Sequence, residues 1–265
     1  LIMAIINASP DSFSGDGAAT VEAALNRADT AIREGADILD IGAESTRPGA
    51  TPLDADTEWA RLEPILTALR SRTALPLSVD TYKASVAAKA CEKGVTIIND
   101  VSGCRDAELF SVAAHYSATL VLTHNPHPGI SGSSSTTYTD VVREVSTALT
   151  ALRARAHAAG LPDSKLWFDP GFGFGKNVDD TLTLLRGLPV LQTLGLPLLV
   201  GVSNKSFIGQ LTGAATAERL GGTLAAELFA ATHGAGIIRT HRVAPLRQAL
   251  FVQQALHAQN QHTPD

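Results

Sequence analysis

The chain has 265 residues, of which 45% are hydrophobic and 18% are charged, and its formal net charge at pH 7 is −5. This composition supports a large core and excludes global disorder, while the acidic balance argues against a general nucleic-acid binder. The two cysteines, Cys91 and Cys104, show no metal-ligand spacing and do not indicate a disulfide framework. We find no apolar run of transmembrane length and no signal segment, so the expected compartment is the cytoplasm.

Short apolar runs that predict buried strands recur along the chain, and segments with apolar spacing near 3.6 residues lie between them. The predicted strands cover residues 2–6, 37–41, 75–79, 95–98, 119–122, 166–168, 197–202 and 236–239. The predicted helices cover residues 21–34, 55–70, 84–93, 107–115, 138–159, 179–194, 217–233 and 246–259. Thr20 is the expected N-cap of the first helix.

Eight apolar strands that alternate with eight helices predict a parallel sheet buried on both faces. Such a sheet closes into a (β/α)8 TIM barrel or stays open as a doubly wound sheet. Eight units at this chain length favour the TIM barrel. Because no linker-like segment divides the sequence, we expect residues 1–265 to form a single domain.

Polar residues follow nearly every predicted strand. They are Asn7, Asp11, Asp40, Glu44, Thr46, Arg47, Asp80, Asn99, Asp100, His124, Asp169, Ser203, Asn204, Lys205, Arg239 and His241. In a barrel the carboxyl ends of all strands converge on one mouth. Each residue alone could cap a helix or hold a loop, but stability does not require polar groups at every strand end. The whole set therefore predicts a binding site.

The residue types at these ends suit two kinds of ligand group. The acceptors Asp80, Asn99 and Asp169 match a flat heterocycle with amino and ring N–H donors, and Lys205 can donate to its carbonyl or ring nitrogen. Arg239 and His241 point the same way on the last strand.

With Asn7 and Arg47, this pair could hold a dianionic phosphate group or its metal. The sequence contains no Walker A loop, no GxGxxG pattern and no nucleophile elbow, so nucleotide binding by those devices and serine hydrolase chemistry are not supported.

Seven motifs, taken in order, give the chain a specific resemblance. They are NASPDSFS at 7–14, DIGAESTRPG at 40–49, SVDT at 78–81, INDVSG at 98–103, DPGFGFGK at 169–176, GVSNKSF at 201–207 and RTH at 239–241. The series resembles that of the dihydropteroate synthase family. The resemblance implies a pterin-binding barrel that condenses 6-hydroxymethyl-7,8-dihydropterin pyrophosphate with p-aminobenzoate and releases pyrophosphate with the help of Mg²⁺.

The resemblance also implies a role for each matching residue. The implied pterin ligands are Asp80, Asn99, Asp169 and Lys205, and Phe174 would line the pterin pocket. The implied pyrophosphate ligands are Thr46, Arg47, Arg239 and His241. Ser206 would lie near the benzoate, and Asn7 would help to bind Mg²⁺. Among these, Asp169, Lys205, Arg239 and His241 are expected to be catalytic. A cytoplasmic homodimer that is a target of sulfonamides is implied as well, and apolar residues in 220–231 and 246–256 favour a dimer.

Three departures from the family pattern stand in functional segments. Asn204 replaces an arginine of the usual Ser-Arg-Lys, and Arg242 replaces the aspartate of Arg-x-His-Asp. Residues 123–126 read Thr-His-Asn-Pro where Met-His-Met/Ala-Arg is usual. These changes predict altered affinity for p-aminobenzoate or sulfonamides rather than loss of activity.

Two alternatives remain from the sequence. A paralogue that binds pterin without turnover would keep the pterin residues but would have no use for Arg47, Arg239 and His241. A methyltetrahydrofolate-binding methyltransferase domain would share Asp80, Asn99 and Asp169, and it would work with a cobalamin module that is absent from this sequence.

Overall fold

The computed structural model describes residues 1–8, 17–44, 52–127 and 136–258. Eight parallel strands form a closed barrel in which neighbours along the chain are neighbours in the sheet, and β8 closes on β1. The strands are β1 Ile2–Asn7, β2 Ile38–Gly42, β3 Leu77–Asp80, β4 Ile97–Asp100, β5 Thr119–Thr123, β6 Leu166–Asp169, β7 Leu198–Val200 and β8 Ala235–Thr240. This topology confirms the predicted TIM barrel. Two of the predicted site residues, Thr46 and Arg47, lie outside the described residues.

Helices surround the barrel. They are α1 Gly17–Arg33, α2 Ala55–Arg72, α3 Ala84–Glu92, α4 Glu108–His115, α5 Val141–Ala158, α6 Val178–Arg186, α7 Leu188–Gln192, α8 Ser206–Thr212, α9 Leu220–Thr232 and α10 Val243–Ala258. Among the described residues, no helix is long and apolar enough to cross a membrane.

The helices differ from the predictions at three places. The predicted helix 179–194 is divided into α6 and α7, because Pro189 near the start of α7 lacks the N–H that a continuous helix would need. Helix α8 was not predicted, because its seven residues are too few to show a helical period. Thr20 was wrong as an N-cap, since α1 begins at Gly17.

The barrel interior alternates in layers because successive strand residues point to opposite faces. The lower layer is apolar and consists of Met3, Ile38, Ile97, Val121, Leu199 and Ile237, with Trp167 packed against it. A second set of residues lies two positions further along the same strands and therefore faces the same way. It consists of Asp40, Asn99, Thr123, Asp169 and Arg239. The strand period thus places a polar layer directly above an apolar floor.

Candidate active site

The polar layer contains a compact ionic cluster, which we call the carboxylate–arginine cluster, formed by Asp40, Asp80, Asn99 and Arg239. The Arg239 guanidinium donates from Nε to Asp40 Oδ2 at 2.6 Å and from Nη2 to Asp80 Oδ2 at 2.6 Å. The Asn99 amide donates to the same Asp40 oxygen at 3.0 Å. Arg239 therefore joins β8 to β2 and β3, and Asn99 adds β4 through the Asp40 carboxylate.

Burial and pairing compete in this cluster. Burial raises the pKa of Asp80, Arg239 opposes the rise, and the nearby charge of Asp40 adds to it. Burial also disfavours the charge on Arg239, but Asp40 and Asp80 outweigh it and raise the pKa of the guanidinium. The arginine therefore stays charged and holds together two carboxylates that would otherwise repel each other.

Two buried acceptors in the cluster are unused by the protein. Among the described residues, neither Asp40 Oδ1 nor Asn99 Oδ1 has a hydrogen-bond partner. A buried polar atom without a partner is costly and is usually explained by a ligand or water. Both oxygens suit N–H donors of a bound heterocycle.

The loop after β6 approaches the neighbouring loop so closely that it requires glycine. Asp169 Oδ1 accepts a 2.7 Å hydrogen bond from the Gly171 amide. Gly171 has φ +73°, and a Cβ at this position would lie 1.9 Å from the backbone oxygen of His124. The turn that presents Asp169 therefore has no room for a side chain at its second residue.

Lys176 fastens these two loops together. Its ammonium donates to Gly171 O at 2.9 Å and Phe174 O at 3.1 Å, and it lies 2.9 Å from His124 Nδ1. Burial lowers the pKa of Lys176 to about 7; the charge of Asp169 opposes this shift and that of Lys205 adds to it. Burial also lowers the pKa of His124, to about 3, so its neutral ring accepts a hydrogen bond from the lysine.

Lys205 is a second half-buried cation on this side. Its Nζ lies 5.2 Å from the centre of the Phe174 ring. Burial lowers its pKa and the charge of Arg239 adds to this effect, while Asp169 and Asp80 oppose it. We call Asp169, Phe174, Lys176 and Lys205 the lysine half of the mouth. Here the cations are desolvated and, among the described residues, form no ion pair.

The remaining predicted residues lie around this mouth. His241 follows β8, with Nδ1 3.0 Å from Ser203 Oγ, and its backbone amide donates to the same oxygen at 3.2 Å. Asn7 ends β1 opposite Gly42, next to the strand that carries Asp40. Ser206 is exposed at the start of α8.

A comparison with known families identifies this arrangement. The sequence profile described as "Pterin binding enzyme" matches residues 3–241, which extend from the first strand to the end of the last. The chain belongs to the pterin-binding enzyme family.

Relatives within the family are similar over nearly the whole chain. The dihydropteroate synthase of Neisseria meningitidis serogroup B is 42% identical over 263 residues, which cover 96% of this chain and 92% of the relative. The dihydropteroate synthase of Xanthomonas albilineans, solved in complex with 7,8-dihydropteroate, is 41% identical with a TM-score of 0.87 and coverage of 97% and 93%. That of Yersinia pestis, solved with a sulfonamide drug complex, is 36% identical with a TM-score of 0.91 and coverage of 97% and 94%.

In this member of the family, three residues of the site were missing from the predicted set of ligands. Asp40 was noted only as a strand-end residue, although it joins Arg239 to Asn99. Lys176 stands within the DPGFGFGK motif and Ser203 within GVSNKSF, so position in a motif was the available signal. Which side chains they would contact was not readable from the sequence, because their partners come from other loops.

Of the departures from the family pattern, the structure gives a local reason for one. Asn204 has φ +58°, in the left-handed region that asparagine tolerates better than most residues. Its backbone amide is bonded to Thr223 Oγ1 and its carbonyl to Arg219. Arg242 is exposed beside His241.

Proposed function

We propose that this chain is an active dihydropteroate synthase that joins 6-hydroxymethyl-7,8-dihydropterin pyrophosphate to p-aminobenzoate and releases pyrophosphate. The observation that carries the proposal is the pair of unused acceptors, Asp40 Oδ1 and Asn99 Oδ1, in a buried polar layer that also holds Asp169, with the half-buried Lys205 at the same mouth. A pterin offers amino and ring N–H donors to Asp40, Asn99 and Asp169, and it offers a carbonyl oxygen to Lys205. The similar X. albilineans enzyme, solved with 7,8-dihydropteroate, supports the same ligand class.

The chemistry follows from the charges at the mouth. The bond between the pterin methylene carbon and the pyrophosphate oxygen breaks, and both electrons leave with pyrophosphate. The arylamine nitrogen then forms a bond to that carbon and loses a proton. Asp169 stabilises positive charge that develops on the pterin, and cations fixed around the leaving group favour its departure. Arg239 and His241, with Thr46 and Arg47 from the second loop, supply that grip.

Metal binding is proposed through Asn7. Mg²⁺ is commonly held by one or two protein oxygens, with waters and substrate phosphates filling the other positions. The described residues contain no group of three His, Cys, Asp or Glu side chains that could hold a metal alone, and the Asn7 amide oxygen at the barrel mouth fits such a substrate-dependent site. When bound, Mg²⁺ neutralises charge on the leaving pyrophosphate.

The direct test is pyrophosphate release by the purified chain with dihydropterin pyrophosphate and Mg²⁺, in the presence and absence of p-aminobenzoate. We expect arylamine-dependent release that collapses in Lys205→Ala and Arg239→Ala. Arg143→Ala removes a cation that is 71% exposed on α5 and serves as the matched control with full activity. Tight pterin binding without release under any arylamine would instead support the non-catalytic paralogue.

The proposed assembly is a cytoplasmic homodimer. Large apolar side chains are exposed on α9 and α10, with Phe229 at 37%, Phe251 at 74%, Val252 at 57% and Leu256 at 64% exposure. A patch of this kind on two adjacent helices is typical of a protein interface. Light scattering after size exclusion would test it, and Phe251→Glu with Val252→Glu is expected to shift a dimer to a monomer.

A further inference from the structure

A closed network of hydrogen bonds surrounds the turn after β6, and it begins and ends at Asp169. Asp169 Oδ1 accepts from the Gly171 amide at 2.7 Å, and Gly171 O accepts from Lys176 Nζ at 2.9 Å. Lys176 Nζ lies 2.9 Å from His124 Nδ1, and the His124 amide donates to Asp169 O at 2.9 Å. We call these four residues the Asp169 network. It ties the end of β6 to the loop that follows β5.

Lys176 uses all of its donors within the protein. A protonated lysine has three N–H groups and no acceptor. Three acceptors surround its ammonium group, which are Gly171 O at 2.9 Å, Phe174 O at 3.1 Å and His124 Nδ1 at 2.9 Å. No N–H group is therefore left for a substrate, and any effect of Lys176 on binding has to pass through the residues that it holds.

The charge states at pH 6 determine the direction of the bond between Lys176 and His124. Burial lowers the pKa of Lys176 to about 7, and burial also lowers the pKa of His124 to about 3. At pH 6 the lysine therefore keeps its proton, while the imidazole is neutral. Because an ammonium group cannot accept a hydrogen bond, His124 Nδ1 is the acceptor and the imidazole proton lies on Nε2.

The turn that Lys176 holds carries two groups of the candidate site. The Gly171 amide occupies one oxygen of the Asp169 carboxylate, and the Phe174 amide donates to Gly171 O at 3.1 Å. Gly171 and Gly173 have φ of +73° and +89°, so the segment does not have the hydrogen bonds of a regular helix or strand. The ammonium group bonds the carbonyls of Gly171 and Phe174 instead. The lysine thus supplies contacts that regular secondary structure would otherwise provide.

We propose that Lys176 is a positioning residue for pterin binding, which acts through the turn after β6 to hold the Asp169 carboxylate and the Phe174 ring in place. Its N–H groups perform this task rather than its charge, because each of them has an acceptor within the protein. Groups that are already held in place cost less to order when the ligand binds, which raises affinity. The proposal rests on the proposed function only in taking Asp169 and Phe174 as pterin contacts.

Calorimetric titration with 6-hydroxymethyl-7,8-dihydropterin at pH 6 tests the proposal, because this ligand lacks the pyrophosphate group and its binding requires no turnover. In Lys176→Ala we expect the Kd to rise about tenfold, as for the loss of one ordered hydrogen bond. Lys89→Ala removes an exposed lysine of α3 and is the matched control with wild-type affinity. Wild-type affinity in folded Lys176→Ala would overturn the proposal.

Chemical rescue separates the N–H groups from the charge. Propylammonium matches the atoms that Lys176→Ala removes, from Cγ to Nζ, and we expect it to restore most of the affinity. Tetramethylammonium carries the same charge without an N–H group and should restore none. Equal rescue by both ions would show that Lys176 supplies only charge, which would contradict the proposal.

The wild-type protein provides a measurement that does not depend on a variant's folding. Long-range ¹H–¹⁵N correlation spectra of histidine-labelled protein at pH 6 should show His124 with its proton on Nε2. His124→Gln assigns the signal among the eight histidines. A proton on Nδ1 would mean that the lysine does not donate to His124, and the Asp169 network would be open.

Lys176→Met is the second variant, which keeps the length of the apolar stem and removes only the donors. It should show the same loss of about tenfold, without rescue by propylammonium, because the methionine fills the space. Failure of the proposed function would be recognised separately. A wild type that binds the pterin but releases no pyrophosphate with any arylamine would refute the synthase, whereas the titrations would still decide the role of Lys176.

Discussion

The two halves of the barrel mouth hold their cations in opposite ways. In the carboxylate–arginine cluster, Arg239 is bonded to two carboxylates at 2.6 Å each, and pairing raises its pKa despite burial. In the lysine half, burial lowers the pKa of both Lys176 and Lys205. Burial alone therefore does not decide whether a cation keeps its charge here. The number of carboxylates within hydrogen-bonding distance of the cation decides it.

This difference assigns separate tasks to the halves. The paired half is held together by the protein's own groups, since Arg239 and Asn99 both donate to the Asp40 carboxylate from two strands. The lysine half keeps Lys205 without a carboxylate partner among the described residues, so its charge is available to a ligand. A paired cluster beside an unpaired cation can stabilise the charge that develops in the transition state more than the charge of the bound substrate.

The largest effect on stability is expected from Arg239→Leu. This change leaves the buried Asp40 and the half-buried Asp80 without their cation, which costs about 3–5 kcal/mol of unfolding free energy. Urea unfolding followed by circular dichroism measures it. Adding Asp40→Asn to Arg239→Leu should recover part of the loss, whereas Asp40→Asn alone should destabilise the wild type. A loss below about 1 kcal/mol would mean that the cluster is not a true ion pair.

The pairing of Arg239 also marks where prediction from sequence reached its limit. The alternation of the strands and the motif order predicted the barrel and brought Asp80, Asn99, Asp169 and Arg239 to one mouth. They could not show that Arg239 binds Asp40 and Asp80, because register across four strands sets which side chains touch. Arg239 was predicted as a pyrophosphate ligand, and that role stays a prediction.

Loops were less predictable than strands for the same reason. His124 was recognised as a strand-end residue, but its contact with Lys176 depends on a close approach between two loops whose conformations the sequence does not encode locally. The buried Glu227 had no signal at all, since a glutamate in a helix is usually exposed.

The second-largest effect is expected from Gly171→Ala, in the lysine half. Gly195 is the matched control, because its φ of +85° is also left-handed but a Cβ there would meet nothing within 4 Å. We expect Gly195→Ala to cost about 1 kcal/mol, the conformational penalty alone, and Gly171→Ala about 3 kcal/mol because overpacking against His124 O is added. Thermal and urea unfolding would show the difference. Equal costs would mean that the two loops separate easily.

A smaller effect, visible only through pH, is expected from Lys176→Met. In the folded protein Lys176 releases its proton near pH 7, whereas in the unfolded chain it keeps the proton up to about pH 10.5. The unfolded state therefore binds more protons in this window, and the wild type gains up to about 1.4 kcal/mol of unfolding free energy per pH unit above pH 7. Lys176→Met should lose this slope. Lys89→Met, on the exposed side of α3, should keep it, and a slope retained in Lys176→Met would assign it to another group.

The smallest effect on stability is expected from Lys205, which we propose as the donor to the pterin carbonyl. Lys205→Met removes a desolvated charge that has no ion pair among the described residues, so the unfolding free energy should stay within about 1 kcal/mol of the wild type or rise. Pyrophosphate release should nevertheless fall at least about a hundredfold, because the proposed donor to the pterin is lost. Arg239→Leu and Lys205→Met would then abolish the same activity with opposite consequences for folding. A loss of several kcal/mol in Lys205→Met would show instead that Asp169 holds Lys205 as firmly as Asp40 and Asp80 hold Arg239, and the two halves would not differ.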